Sequence, residues 1–130
     1  MRLWHYKLIP VLPKDMLVSQ WRECIAIKRQ WEKGTLKHRL VSYVMNYDRT
    51  MFSSYVHLVI EELKNRGIKF QHKYWKEIVD FCALSVYDFP YKEHNDKYLT
   101  QCYYNLEEKF DRGIITEKEW SAINDMRDKE

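Results

Sequence analysis

The chain has 130 residues and a mild formal charge of +3, which is enough length for one domain with a sizeable core and too little charge to demand a nucleic-acid partner. Its three glycines and three prolines argue against a turn-rich all-β fold and favour helices. No apolar run is long enough to span a membrane or shaped like a signal peptide. The three cysteines are odd in number and lack a CxxC spacing, which argues against disulfides and structural zinc. We therefore expect a reduced, cytoplasmic protein.

The first thirteen residues are predicted to form an arm rather than a helix. Pro10 and Pro13 favour extended or turn geometry before them. The arm has enough apolar surface to be pinned to the body of the protein, through Leu3, Trp4, Leu8, Ile9 and Leu12. A pinned terminus holds its α-amino group in one place. Because α-amino groups ordinarily titrate close to cell pH, a fraction of such an amine is neutral and nucleophilic there.

The next stretch, 14–30, has the spacing of an amphipathic helix. Its apolar stripe comprises Leu17, Trp21, Cys24 and Ile25, with Val18 and Ile27 at the edges. The opposite face shows a glutamate among arginines and comprises Ser19, Arg22, Glu23, Ala26, Arg29 and Gln30. Such a face suits a polyanion held by cations while a carboxylate acts on it. A charge run of this kind is more often simply a solvated surface, and both readings stay open at this point.

The remaining helices are predicted from caps, apolar stripes and glycine stops. They span 36–47 with a Thr35 cap, 49–66 with an Asp48 cap, 72–85, 97–110 with an Asn95 or Asp96 cap, and 117–127 with a Thr116–Glu119 capping box. A loop containing Pro90 is expected at 86–95. The prediction is a single all-α domain over 1–130, with about five or six helices and an extended N-terminal arm packed on the body.

Basic residues concentrate in the N-terminal third. Between residues 22 and 49 they comprise Arg22, Lys28, Arg29, Lys33, Lys37, Arg39 and Arg49, with His38 beside them. From Glu93 onward, acidic residues outnumber basic ones. This is the electrostatic footprint expected of a protein that binds a phosphate backbone, although a basic surface without a function has the same appearance.

Several common enzyme motifs are absent from the sequence. It has no GxGxxG, P-loop, HExxH or GxSxG pattern, which argues against dinucleotide, nucleoside triphosphate, zincin and hydrolase chemistry. The five histidines are dispersed, and none pairs with an acidic residue at metal-ligand spacing. We therefore expect neither a nucleotide cofactor nor a metal. Trp31, Tyr43 and Tyr47 are aromatic residues that could flank a nucleic-acid base.

A series of motifs runs through most of the chain in a fixed order. It opens with MRLWHYKLIPVLP and QWRECIA, followed by Lys37 and His38, then HLVIEEL at 57–63, and ends with YKEHNDKYLTQCYYNL at 91–106. In order and spacing, from Met1 to about Gly113, the chain resembles the pyrimidine-dimer DNA glycosylase family of the phage endonuclease V type. The resemblance is greatest to a compact bacterial and phage branch that opens MRLWH.

This resemblance implies a DNA repair glycosylase with an AP-lyase step that acts on UV-type pyrimidine dimers in double-stranded DNA without a metal or cofactor. In the family a free N-terminal amine attacks C1′ of the damaged nucleotide, and the Schiff base that follows breaks the strand by β-elimination. By the resemblance, Met1 supplies the amine, Glu23 handles protons and stabilises the sugar cation, and Arg22 holds phosphate. The residues predicted to bind DNA are Arg2, Arg22, Lys28, Arg29, Lys37, His38 and Arg39.

Three departures from the family pattern accompany the resemblance. Characterised phage members carry a small residue after the initiator Met, whereas Arg2 is too bulky for ordinary Met removal. Either the arm is re-registered so that Met1 serves, or the glycosylase step is absent. Where the family has a basic residue one turn after the matched glutamate, this chain has Ala26, and Lys28 and Arg29 are the candidate substitutes. The aromatic, basic tail is replaced by an acidic one.

Two alternative functions therefore stand beside the glycosylase. The first is a non-catalytic DNA-binding module that keeps the basic face of the fold. The second is a small protein-interaction module, of phage or bacterial origin, that uses an aromatic surface.

Overall fold

The computed structural model describes residues 1–84 and 91–129, and within these two stretches it contains helices and turns but no strand. The described residues form five α-helices: α1 Lys14–Glu32, α2 Arg49–Asn65, α3 His72–Cys82, α4 Asp96–Asp111 and α5 Glu117–Asp128. They also form two short 3₁₀ helices, Tyr6–Val11 and Ser42–Asn46. The predicted all-α fold class is confirmed.

Helix α2 is the centre of the core. It contacts α1, α3 and both 3₁₀ helices. The predicted stripe on this helix is buried throughout, and it comprises Phe52, Tyr55, Val56, Val59 and Leu63. A helix surrounded on several sides is buried over more than one stripe, so its polar side chains need partners inside the protein. The buried Ser53 and Ser54 hydroxyls accordingly donate to the Thr50 carbonyl of the same helix.

The three cysteines are buried free thiols, and burial raises the pKa of Cys82 to about 12.

The N-terminal arm lies against this core, as predicted. All five of its predicted anchors are buried, namely Leu3, Trp4, Leu8, Ile9 and Leu12. Its second half is the 3₁₀ helix Tyr6–Val11 rather than extended chain, and that helix packs on α2 and α5. The Arg66 guanidinium, just after α2, donates to the carbonyls of Leu12 (2.7 Å) and Pro10 (3.1 Å). The arm is therefore held by both apolar burial and polar contacts.

Most of the predicted helix boundaries are confirmed because local caps determine them. Asp48 accepts a hydrogen bond from the Thr50 amide at the start of α2, and Asn95 accepts one from the Tyr98 amide at the start of α4. The Thr116–Glu119 capping box is present at the start of α5. Helix α3 ends at Cys82, before the predicted Ser85. Of the predicted loop at 86–95, residues 86–90 lie outside the described residues.

The predicted helix at 36–47 is wrong. Gly34, at φ 72°, ends α1, and the Thr35 hydroxyl donates back to the Gln30 carbonyl instead of capping a new helix. The chain then makes a turn and the short 3₁₀ helix Ser42–Asn46. A helix would have buried Leu40 beside Leu36, whereas the turn buries Val41 and leaves Leu40 49% exposed. Burial of a β-branched valine in this position decided the local structure against helix propensity.

Replacement of Phe52 tests the central role of α2. Phe52 is fully buried, so we expect Phe52→Ala to lower the free energy of unfolding by about 3–5 kcal/mol, through lost burial and a residual cavity. Urea unfolding measures this change. The control is Met45→Ala, because Met45 is 41% exposed and should cost little. Equal effects of the two substitutions would contradict this account of the core.

Candidate active site at the N-terminal arm

A single buried amide joins the arm to α1. Gln20 is 0% exposed, and its Oε1 accepts the backbone N–H of Trp4 at 2.7 Å. Its Nε2 donates to the carbonyl of Arg2 at 2.9 Å and to Glu23 Oε2 at 3.0 Å. The buried Tyr55 hydroxyl of α2 lies 2.6 Å from the Trp4 carbonyl and 2.9 Å from Gln20 Oε1. These contacts fix the first residues of the chain against the face of α1 that carries Glu23.

Gln20 is not among the site residues predicted from the sequence. The signal was nevertheless present, because Gln20 is three residues after Leu17 and four before Cys24 and so lies on the apolar stripe of α1. A glutamine in that position has to find buried partners. The partners themselves come from the arm and from α2, and their identity is not readable from the helix alone.

The structure brings Met1, Glu23 and His38 together. The Met1 amine lies 3.5 Å from His38 Nε2. Burial raises the pKa of the Glu23 carboxyl, and four features of the site oppose that rise: the charge of the terminal amine, a backbone hydrogen bond from Arg2, and the charges of His38 and Arg2. A half-buried carboxylate therefore lies within the electrostatic reach of the terminal amine at the end of a fixed arm.

The Arg2 guanidinium also acts on residues of α4. It lies over the Trp4 ring, 5.5 Å from the ring centroid, and it opposes the rise that burial causes in the pKa of Tyr98 and of Cys102. The Tyr98 hydroxyl also donates to the carbonyl of Leu3. The start of the arm is thus held on α4 at Leu3, while the Met1 amine lies beside His38.

Three of the other predicted DNA-binding residues are exposed near this site in the chain. Arg22 precedes Glu23 on α1, and Lys37 and Arg39 flank His38 in the turn that follows α1. His38 is also exposed, and its Nδ1 accepts the backbone N–H of Leu40 at 3.3 Å. The sequence predicted His38 as a DNA contact but gave no indication that it meets the terminal amine.

Lys28 and Arg29 are placed differently from the rest of the predicted set. Lys28 is buried, with its Nζ 3.1 Å from Glu32 and 3.4 Å from Glu77 of α3. Arg29 Nε lies 3.1 Å from the same Glu77 carboxylate. Arg29 first, and Lys28 with it, hold the pKa of Glu77 below its usual range. The positive charge of these two residues is therefore offset within the protein.

The aromatic residues considered as base-flanking candidates take part in packing. Trp31 makes edge contacts with the rings of Phe52 and Phe81. Tyr47 donates to Glu93 at 2.6 Å, and Tyr43 lies 2.7 Å from His94 Nε2.

His94 is buried beneath the arm. Burial first, and the nearby His5 second, lower the pKa of His94 to about 3. The Tyr6 amide donates to its Nδ1, so the single ring proton resides on Nε2 and is donated to the Tyr43 oxygen. His94 is thus a neutral support of the arm. No group of three or more side chains that could hold a metal occurs in residues 1–84 and 91–129.

Removal of the Gln20 amide should loosen the arm. We expect Gln20→Leu to lower the free energy of unfolding by about 1–3 kcal/mol, because the Trp4 amide and the Arg2 carbonyl lose their buried partner. Hydrogen exchange of the Trp4 amide should accelerate in the same variant. Gln101→Leu, at an exposed position of α4, is the control. An unchanged exchange rate at Trp4 would refute the proposed role of the amide.

Neutralising Glu23 should stabilise the fold at neutral pH. A raised carboxyl pKa means that folding favours the protonated form, so the stability of the wild type falls as pH rises through the folded-state value. We therefore expect Glu23→Gln to unfold at higher urea concentration than the wild type at pH 7. The difference should shrink below about pH 4, where the carboxyl is protonated in both states. A destabilised variant at pH 7 would contradict the stated cause of the shift.

Comparison with known proteins connects this site with a family. Residues 1–76, more than half of the chain, match the family model described as pyrimidine dimer DNA glycosylase. The match includes Met1, Gln20, Glu23 and His38, which the fold brings to one place. No curated protein and no solved structure matches the chain. Among the described residues, no helix is both long and apolar enough to cross a membrane. The chain belongs to the pyrimidine dimer DNA glycosylase family.

Proposed function

We propose that the protein is a DNA glycosylase with an AP-lyase step that acts on UV-type pyrimidine dimers in double-stranded DNA. The observation that supports this most directly is the position of the Met1 amine beside His38 and within the electrostatic reach of Glu23. Family membership supports the substrate class. In this proposal Arg2 is not the nucleophile, since its backbone nitrogen is the amide that joins it to Met1.

The proposed reaction needs an amine held at C1′ and a carboxylate beside it. The neutral amine forms a bond to C1′, and the C1′–N bond to the pyrimidine breaks with its electron pair leaving on the base, which takes up a proton. Loss of a proton from the attached amine and opening of the sugar ring at O4′ give the Schiff base. Removal of a C2′ proton then expels the 3′-phosphate by β-elimination.

Glu23 suits two parts of this sequence. As a carboxylate it lowers the energy of positive charge developing at C1′, and partial burial strengthens that effect because water screens it less. As a proton carrier it benefits from a pKa raised by burial, since acid–base catalysis is most efficient when the carrier titrates closer to the working pH. The hydrogen bond from Gln20 holds the carboxylate in one orientation for both roles.

The proposed DNA-binding surface consists of the exposed cations that adjoin Glu23 in the chain, or that lie in the turn after α1: Arg22, Lys37, His38 and Arg39. Phosphate contacts of this kind position the duplex without reading its sequence. Lys28 and Arg29 contribute less in this proposal, because each would have to exchange Glu77 for a phosphate. We expect substitution of Arg22 or Lys37 to weaken binding and reduce its salt dependence more than substitution of Arg29.

Borohydride trapping tests the proposal. The protein is incubated with a duplex carrying an abasic site, and separately with one carrying a cyclobutane dimer, and mass spectrometry locates the reduced adduct. We expect an adduct at the Met1 amine on both duplexes. Glu23→Gln should slow cleavage of the dimer duplex by about 10²–10⁴-fold. The matched control is Glu61→Gln on α2, where the carboxylate pairs with Lys64 and cleavage should be retained.

The other outcomes separate the alternatives. Undiminished cleavage by Glu23→Gln, or an adduct confined to a lysine, would refute the assigned roles. Salt-sensitive binding of duplex DNA with no adduct on either substrate would identify a non-catalytic DNA-binding module. Absence of both binding and adduct would leave only the family fold.

A further inference from the structure

The turn after α1, residues 37–41, is fixed by hydrogen bonds and by buried flanks. The His38 carbonyl accepts the amides of Val41 (3.1 Å) and Ser42 (2.9 Å), and His38 Nδ1 accepts the amide of Leu40 (3.3 Å). On either side, Leu36 is 4% exposed and Val41 is fully buried. A turn with these anchors presents its outward side chain in a defined place.

That outward side chain is Leu40, which is 49% exposed and follows the exposed Arg39 in the chain. A single exposed leucine is ordinary on a protein surface and does not by itself indicate a contact. Leu40 differs because Arg39 and Lys37, in the same turn, are cations available to phosphates. An apolar side chain flanked by cations is complementary to a DNA duplex, because the apolar faces of the bases lie between two negatively charged phosphate backbones.

The location of the turn supplies the second argument. His38, two residues before Leu40, has its Nε2 3.5 Å from the Met1 amine. Two residues span at most about 7 Å of backbone, so Leu40 lies in the same short turn as the histidine that contacts the amine. A nucleotide bound with its C1′ at the amine therefore has its neighbours in the base stack close to this turn.

The proposed reaction requires the base stack to be opened so that the amine can reach C1′. C1′ of a stacked nucleotide is shielded by adjacent bases, and enzymes that act there distort the duplex at a cost of unstacking. Proteins commonly meet this requirement by inserting a leucine or similar apolar side chain between base steps, which unstacks and kinks the duplex.

We propose that Leu40 is a wedge that enters the base stack of duplex DNA beside the lesion, with Lys37 and Arg39 on the flanking phosphates. The proposal rests on the duplex DNA substrate of the proposed function. It adds a residue that opens the substrate, distinct from those that carry out the reaction.

Fluorescence of 2-aminopurine tests the wedge without catalysis. The duplex carries a tetrahydrofuran abasic analogue, which has no C1′ aldehyde and cannot react, with 2-aminopurine as the adjacent base. We expect the wild type to raise the fluorescence on binding, because the reporter base unstacks. Leu40→Ala should bind with similar affinity but leave the fluorescence near that of the free duplex. Leu84→Ala is the matched control, since Leu84 is also 49% exposed and lies after α3.

Trapping assays with the same variants separate this proposal from the proposed function. Leu40→Ala should lose about tenfold in cleavage rate on a dimer duplex, equivalent to ~1.4 kcal/mol, yet trap a single-stranded abasic oligonucleotide as well as the wild type. A Leu40-dependent fluorescence rise without any adduct would support the wedge and refute catalysis. Adducts with no difference between Leu40→Ala and Leu84→Ala would refute the wedge alone. No binding of duplex DNA would refute both.

Discussion

The buried amide of Gln20 is the interaction on which the candidate site depends. The backbone N–H of Trp4 and the carbonyl of Arg2 are removed from bulk water by the packing of the arm, and each would cost free energy without a partner. Only a side chain that both donates and accepts can serve the two groups at once. Gln20 does so and also holds Glu23, so the arm and the carboxylate share one reference point on α1. The position of the terminal amine follows from that constraint.

A second constraint comes from α4. The Arg2 guanidinium lies over the Trp4 ring and acts on Tyr98 and Cys102 of α4 as well as on Glu23. The long side chain of Arg2 reaches another helix, where a small residue could not. The arm is held on α4 close to its first residue by the hydrogen bond from Tyr98 to the Leu3 carbonyl, and the Met1 amine lies beside His38.

The basic third of the sequence separates into two surfaces in the fold. Beside Glu23 and His38 in the chain, Arg22, Lys37 and Arg39 are exposed. Farther along α1, Lys28 and Arg29 face α3 and pair with Glu77, which stabilises the contact between the two helices. Because charge neutralisation depends on which helix lies opposite, a count of lysines and arginines overstates the cationic surface of this protein.

The sequence by itself determined the features that depend on near neighbours along the chain. The all-α class, the caps of α2, α4 and α5, the pinned arm and the exposure of Arg22 follow from helical periodicity, capping residues and prolines. Only the tertiary structure decided the turn in place of a helix at 36–47, the four contacts of Gln20, the placement of the Arg2 guanidinium and the pairing of Lys28 and Arg29. Each of these is a choice among partners far apart in sequence, where burial of one side chain excludes another. Local propensity carries no information about that competition, because its outcome is set by the packing of the whole core.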